Sequence, residues 1–319
     1  MKIQHGMAWG LCVLTSIMLF QVARAGDSDS APLPLSTVEG RLTLTSGTPV
    51  TMSDVVGAGT LYFTPYKGDG MYLYDGTRWR LYRFSELSTD LSTAIPGGIV
   101  SGKNYDVFVQ DNSLGSPVLS LSSPWTNDTT RADALTLVNG VYVASGNTLA
   151  RYVGTIRASA NNQTTDSATQ RFLWNEYNRA PRKLFLAVAD ASHTYGTASW
   201  RPWNNSPANR VEVVIGQAEE LVDLFARALS TVQAANEYGV VGIDVDGTAS
   251  NDADMVDVGI SATAGDYRVI FSNLKHLPAA GYHSYQMTEY ARTATNLTFY
   301  GTYSDVTLRR SGLLGNVES

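Results

Sequence analysis

Between Leu61 and Phe84 the chain reads LYFTPYKGDGMYLYDGTRWRLYRF. Eight aromatic side chains (Tyr62, Phe63, Tyr66, Tyr72, Tyr74, Trp79, Tyr82 and Phe84) are interrupted by two tight-turn signals, Lys67-Gly68-Asp69-Gly70 and Asp75-Gly76-Thr77. Aromatic rings suit a pleated, half-buried surface, and Asp-Gly supplies the left-handed backbone that a two-residue hairpin needs, so the pattern predicts strands joined by hairpins. Its alternation and turns account for most of these rings as the packed body of a β-domain and not as a binding surface.

The same rhythm continues. Arg41–Thr45, Asn104–Asp111, Pro117–Ser122, Ala134–Val138 and Ala150–Ala158 alternate apolar and polar residues, separated by Pro96-Gly97-Gly98, Ser101-Gly102 and Asn139-Gly140. In Asn104–Asp111 the period of two sends Tyr105, Val107 and Val109 inward and Asp106, Phe108 and Gln110 outward. Short strands with turns about every ten residues predict an all-β chain of antiparallel sandwich, jelly-roll-like or barrel-like domains, not βαβ units. Ser159–Ser167 is polar, small and aperiodic, and marks an internal boundary, with a long hairpin loop as the alternative. Beyond it come Arg171–Tyr177, Lys183–Ala189, Arg210–Ile215, Gly239–Val245, Asp266–Phe271, Tyr282–Tyr290 and Asn296–Tyr300. The expected organisation is a leader at 1–25, a flexible lead-in at 26–38, a β-domain at 39–158, a linker at 159–168 and a second β-sandwich at 169–319. In Lys183–Ala189 both faces are apolar, which predicts burial on both sides or a subunit contact. Glu219–Leu229 fits a helical face and strand alternation about equally, and its β surroundings favour strand.

At 319 residues there is room for two domains, and 44% hydrophobic against 16% charged residues places the chain among folded proteins. A net charge of −6 argues against general affinity for nucleic acid or anionic lipid. Lys2, the apolar run Met7–Phe20 and Ala23-Arg24-Ala25 resemble an export leader, too short to span a membrane. Cleavage after Ala25 would remove Lys2 and Arg24 and no acid, taking the charge from −6 to −8, and would remove Cys12, the only cysteine. Neither disulfides nor cysteine metal sites are then expected, and stability must come from packing and association.

Reaction chemistry is sparse. Asp244, Asp246, Asp252 and Asp254 form the best candidate for a metal, Ca²⁺ by preference for carboxylate oxygens, but EF-hand spacing fails: the sixth residue from Asp244 is Ala249 and the twelfth Met255. The simpler reading puts Val241, Ile243 and Val245 in the core and Asp244 and Asp246 in water. His193, His276 and His283 match no zinc spacing, and no GxSxG elbow occurs. Glu176, Asp190 and Glu289 are the carboxylates placed to converge for glycoside hydrolysis. Trp174, Tyr177, Trp200 and Trp203 join the opening stretch as rings that could stack on sugar faces, core packing being the simpler reading for most of them, whereas Trp200-Arg-Pro-Trp203-Asn204-Asn205-Ser-Pro reads as a loop. Trp200, Trp203, Asn204 and Asn205 are therefore the candidate glycan-binding residues, since sugars offer CH patches edged by hydroxyls.

Several phrases together resemble proteins of tailed bacteriophages and prophages, of the virion-surface or tail-fibre type. They include Gly40-Arg-Leu-Thr-Leu-Thr-Ser-Gly-Thr-Pro-Val50, Leu73-Tyr-Asp-Gly-Thr-Arg-Trp79, Gly102-Lys-Asn-Tyr-Asp-Val-Phe-Val109, Arg171-Phe-Leu-Trp-Asn-Glu-Tyr-Asn178 and Ser311-Gly-Leu-Leu-Gly315. The resemblance runs from about Glu39 to Ser319. It implies a non-enzymatic, β-rich homotrimer located on the virion, contacting other virion proteins and host-surface glycan, and it supplies no catalytic residues. A secreted bacterial carbohydrate-binding or matrix protein is the alternative that an export leader would serve. A polysaccharide-degrading fibre tip using Glu176, Asp190 and Glu289 is the second.

Overall fold

The computed structural model describes residues 35–112, 115–258, 260–261, 263–292, 297–302 and 311–319, so the expected leader and most of the lead-in lie outside the described residues. Strands and a single 3-10 turn at Trp203–Asn205 are the regular elements among them. The all-β expectation holds, and apart from Gln170–Arg171 beside Arg210–Ile215 the strand pairs are antiparallel.

The aromatic stretch folds as its turns dictate. Thr60–Pro65 leads through Lys67, in the left-handed region, into Gly70–Tyr74, which pairs with Trp79–Arg83. Asp75 shapes the second turn by accepting the Thr77 and Arg78 amides at 2.9 and 2.8 Å. Phe63 and Phe84 stack with centroids 5.2 Å apart inside the core, while the other six rings are half-buried around it.

Asn147–Ala160 is the spine of a thirteen-stranded sheet. It pairs with Asn104–Asp111, and also with Val141–Ala144, Leu173–Asn175 and Gln163–Asp166. The sequence expected Asp106 and Phe108 to face water; instead, every residue from Asn104 to Val109 is buried. The reason is that this wall separates two apolar clusters. Tyr105, Val107 and Val109 enter one with Leu42, Phe63 and Ile156, and Phe108 enters the other with Tyr152 and Trp174. Asp106 is tolerated because Arg131 (2.8 Å) and Thr155 (2.7 Å) satisfy it. At Gly154 the pairing with Asn104–Asp111 shifts register, and a Cβ there would sit 2.2 Å from the Trp174 carbonyl oxygen.

The expected linker at 159–168 is instead a hairpin within this sheet. Ala158 pairs with Thr164 and Ala160 with Gln163, and Asn162 takes the left-handed conformation that closes the turn. Polar, small residues served the turn and not a flexible connection.

Farther along, Arg210–Ile215, Gly281–Ala291 and Gly239–Val245 extend the large sheet. Opposite them lies a seven-stranded sheet whose main path runs Pro181–Ala187, Gly312–Glu318, Val222–Thr231, Tyr267–His276 and Met255–Val256. Val211, Val213, Ile243 and Met287 from the first sheet share one cluster with Leu224, Ala226, Ile270 and Leu313 from the second, which makes this part a sandwich. The ambiguous segment Glu219–Leu229 is strand from Val222 onward, its alternate residues Val222, Leu224, Ala226 and Ala228 all being buried.

Candidate functional site

The four aspartates of the expected metal loop do not converge. Asp244 is 2% exposed, against the expectation that it faces water, and its Oδ2 accepts the Ala249 and Ser250 amides, both at 2.7 Å. Asp246, with φ of 58°, accepts the Ser284 amide and contacts His283 Nδ1, both at 2.8 Å. Asp252 accepts the Val245 amide at 2.8 Å, and Asp254 the Lys275 amide at 2.7 Å. Each carboxylate thus closes a piece of backbone, and among the described residues no group of three His, Cys, Asp or Glu side chains is placed to hold a metal ion. His283 is buried with Nε2 2.9 Å from the Ala279 carbonyl oxygen. Burial pushes its pKa down, but the hydrogen bond and charge of Asp246 outweigh that and leave it raised.

The loop expected to present two tryptophans presents one. Trp200 is half-buried beside Tyr290 at 5.3 Å, and Asn204 and Asn205 are exposed in the left-handed region. Trp203 is fully buried because its indole N–H donates to Asp190 Oδ1 at 3.0 Å and its ring meets His193 and Phe299 edge-on. Proline and asparagine correctly signalled a turn, but the indole points inward.

That indole belongs to a cluster that brings together two of the three carboxylates considered for glycoside chemistry. His193 sits between Asp190 Oδ2 (2.8 Å from Nδ1) and Glu289 Oε2 (2.5 Å from Nε2). Glu289 is fully buried, and its other oxygen accepts from Arg201 Nε at 2.7 Å and the Asn204 amide at 3.2 Å. Phe299 stacks on the imidazole at 5.6 Å. Burial pushes the His193 pKa down, yet its hydrogen bonds to Asp190 and Glu289 together leave it raised. Burial likewise pushes Asp190 up, but the bonds from His193 and Trp203 leave it lowered. With their oxygens taken by internal donors, Asp190 and Glu289 are arranged as an ion cluster and not as facing acid and nucleophile.

Glu176 shares no partner with that pair. Burial and the nearby Glu219 push its carboxyl up to about 7 against the pull of Arg179, Arg131 and Arg151. The sequence pointed to Asp190 and Glu289 as carboxylates that could converge, but carried no signal that His193, 96 positions from Glu289, would stand between them.

The seven-stranded sheet shows an apolar outward face, where antiparallel sheets commonly turn polar residues to water. Phe185, Leu314 and Phe225 lie abreast on adjacent strands. Phe271 stacks on Phe225 at 5.6 Å, and Leu229 lies opposite Val269 and Tyr300. Leu314 is 51% and Val269 46% exposed. Charges of both signs stand among them, in Lys183 and in the pair Lys275–Asp223 at 3.5 Å. A shallow hollow of about 250 Å³ opens beside Phe185, Phe225 and Leu314. Lys183–Ala187 therefore has one face in the core, through Leu184, and the other on this open surface.

No family model matches the chain, and no curated protein does. Among solved structures, the chain is similar to the infectious bursal disease virus VP2 subviral particle at 14% identity, over 70% of this chain and 60% of that one, with a TM-score of 0.25. Infectious bursal virus-derived T=1 particles match at 10% identity over 88% and 76%, with a TM-score of 0.25. A Cry1Da tryptic core variant from Bacillus thuringiensis matches at 7% identity over 78% and 49%, with a TM-score of 0.18. At such scores the likeness assigns neither family nor function.

Proposed function

We propose that the chain is a non-enzymatic structural protein of a virion surface, of the tail-fibre type, that assembles with copies of itself as a trimer and contacts host-surface glycan. One observation carries the assembling role: the open row of Phe185, Leu314, Phe225 and Phe271 across the centre of a sheet. Contiguous apolar surface of this kind marks contact sites, and covering it would add stability to a chain whose sole cysteine is Cys12. A second copy suits the face because Lys183, Lys275 and Asp223 stand on it together, so that rotation can bring lysine of one copy against aspartate of another. The virion assignment rests on the sequence resemblance. Glycan contact is assigned to Trp200, half-buried beside Tyr290, with exposed Asn204 and Asn205 next to it in the chain.

Light scattering on the purified chain tests the reading. A trimer at micromolar concentration is expected, with Phe225→Ser/Leu314→Ser dissociating it to folded monomer. A wild-type chain that stays monomeric at that concentration removes the fibre-type role. A glycan array then separates attachment from assembly: binding lost in Trp200→Ala supports the sugar contact, and no binding by wild type withdraws it while leaving the structural role.

A further inference from the structure

Ser192–Tyr195 is a four-residue strand whose one ladder partner among the described residues is Leu297–Tyr300. Of its four residues Tyr195 alone is buried, in the core cluster beneath the Arg201 guanidinium and with its hydroxyl donating to the Ser199 carbonyl. Its second anchorage is electrostatic. His193 reaches from this strand to Glu289 on Gly281–Ala291, which belongs to the other sheet of the sandwich.

Every group facing the imidazole constrains its protons. From its own segment Asp190 faces Nδ1, and from the opposite sheet Glu289 faces Nε2. Arg201 and the Asn204 amide donate to Glu289, Trp203 donates to Asp190, and Phe299 covers the ring face. All the other printed partners of the two carboxylates are donors, so their oxygens are the acceptors throughout the cluster. A neutral imidazole has one N–H and would turn a lone pair toward one anionic oxygen; an imidazolium donates to both. Charge balance gives the same answer: Asp190 and Glu289 are matched by Arg201 and a charged His193, whereas a neutral ring leaves half-buried Asp190 with no cation, Arg201 being bonded to Glu289.

We infer that His193 is a proton-gated clasp between the two sheets, which holds Ser192–Tyr195 in place while both ring nitrogens carry protons and frees that strand when one is lost. The sign follows from linkage. The folded-state pKa of His193 is raised above its ordinary value, so its contribution is fully present below about 6.5 and is lost as pH rises through the folded midpoint. Asp190 is lowered, so its part fails only when pH falls below the ordinary carboxylate range toward its own folded midpoint. The clasp is closed between those limits and opens on the alkaline side.

Nitrogen NMR of the full chain with labelled histidine reads the ring directly. An imidazolium signature for His193 at pH 7, titrating above about 6.5, is expected; a neutral ring at pH 7 overturns the proposal. Hydrogen exchange reads the consequence. After correction for base catalysis, protection of Ser192–Tyr195 should fall across the His193 midpoint, by about tenfold for each unit by which that midpoint exceeds the ordinary value. His193→Gln should show low, pH-independent protection in that strand with the rest of the sandwich still protected. Wild-type protection that stays flat through the midpoint sinks the clasp even if the variant fails to fold.

Discussion

Two groups of acids in this molecule invert what their spacing suggests. Asp244, Asp246, Asp252 and Asp254 crowd into eleven residues and look like a ligand site, yet each caps a different backbone amide. Asp190 and Glu289 are far apart in sequence and meet on opposite sides of one imidazole. Asp244 and Asp252 accept amides from their own stretch, Ala249, Ser250 and Val245, while Asp246 and Asp254 tie the loop to Ser284 and Lys275 on other strands. Asp190 and Glu289, brought together from distant segments, are matched chiefly by side chains, His193 between them, Trp203 on Asp190 and Arg201 on Glu289, with the Asn204 amide also on Glu289. Crowding in the sequence therefore marks loop building here, and convergence marks charge pairing.

The difference can be broken by substitution. Glu289→Ala leaves His193 and Arg201 facing a cavity with Asp190 as their one remaining anion. Stability should fall by about 3–5 kcal/mol, measured as a lower urea midpoint, and Glu289→Gln should recover part of it by keeping the shape. Asp244→Ala removes the acceptor of two amides from a buried site and should cost about 1.5–3 kcal/mol. Asp252→Ala, at an exposed position, should change stability by about 0.5 kcal/mol or less. If the last two variants proved more damaging than Glu289→Ala, the loop and not the cluster would be the energetic centre. The smallest effect expected is that of calcium: at millimolar concentration it should leave the thermal midpoint of the chain unchanged, and a rise of several degrees would restore the metal reading of the loop.

Much of the architecture was legible because β-structure writes itself locally. Asp75-Gly76 fixed a hairpin, and the period of two in Val222–Ala228 distinguished strand from helix once a sheet was available on both sides. What could not be read was which faces would be covered twice. Asn104–Val109 alternates like a half-exposed strand, but Phe108 and Asp106 are enclosed by residues from elsewhere in the chain, Trp174 and Arg131 among them. Trp203 turns inward for the same reason: its turn is local, while Asp190 and Phe299, which draw the indole inward, are not. Of the site, the sequence offered Asp190 and Glu289 and could not supply His193 as the group between them.

The wall formed by Asn104–Val109 also governs how this molecule can change. Phe108 and Val109 are joined by a peptide bond but live in different interiors. Enlarging one ring or methyl must be answered by a residue many positions away in the same interior, while the adjacent side chain is left indifferent. Drift on the two sides of the wall is consequently free to proceed at separate rates, and a substitution map of the strand should show coupling that skips every second residue.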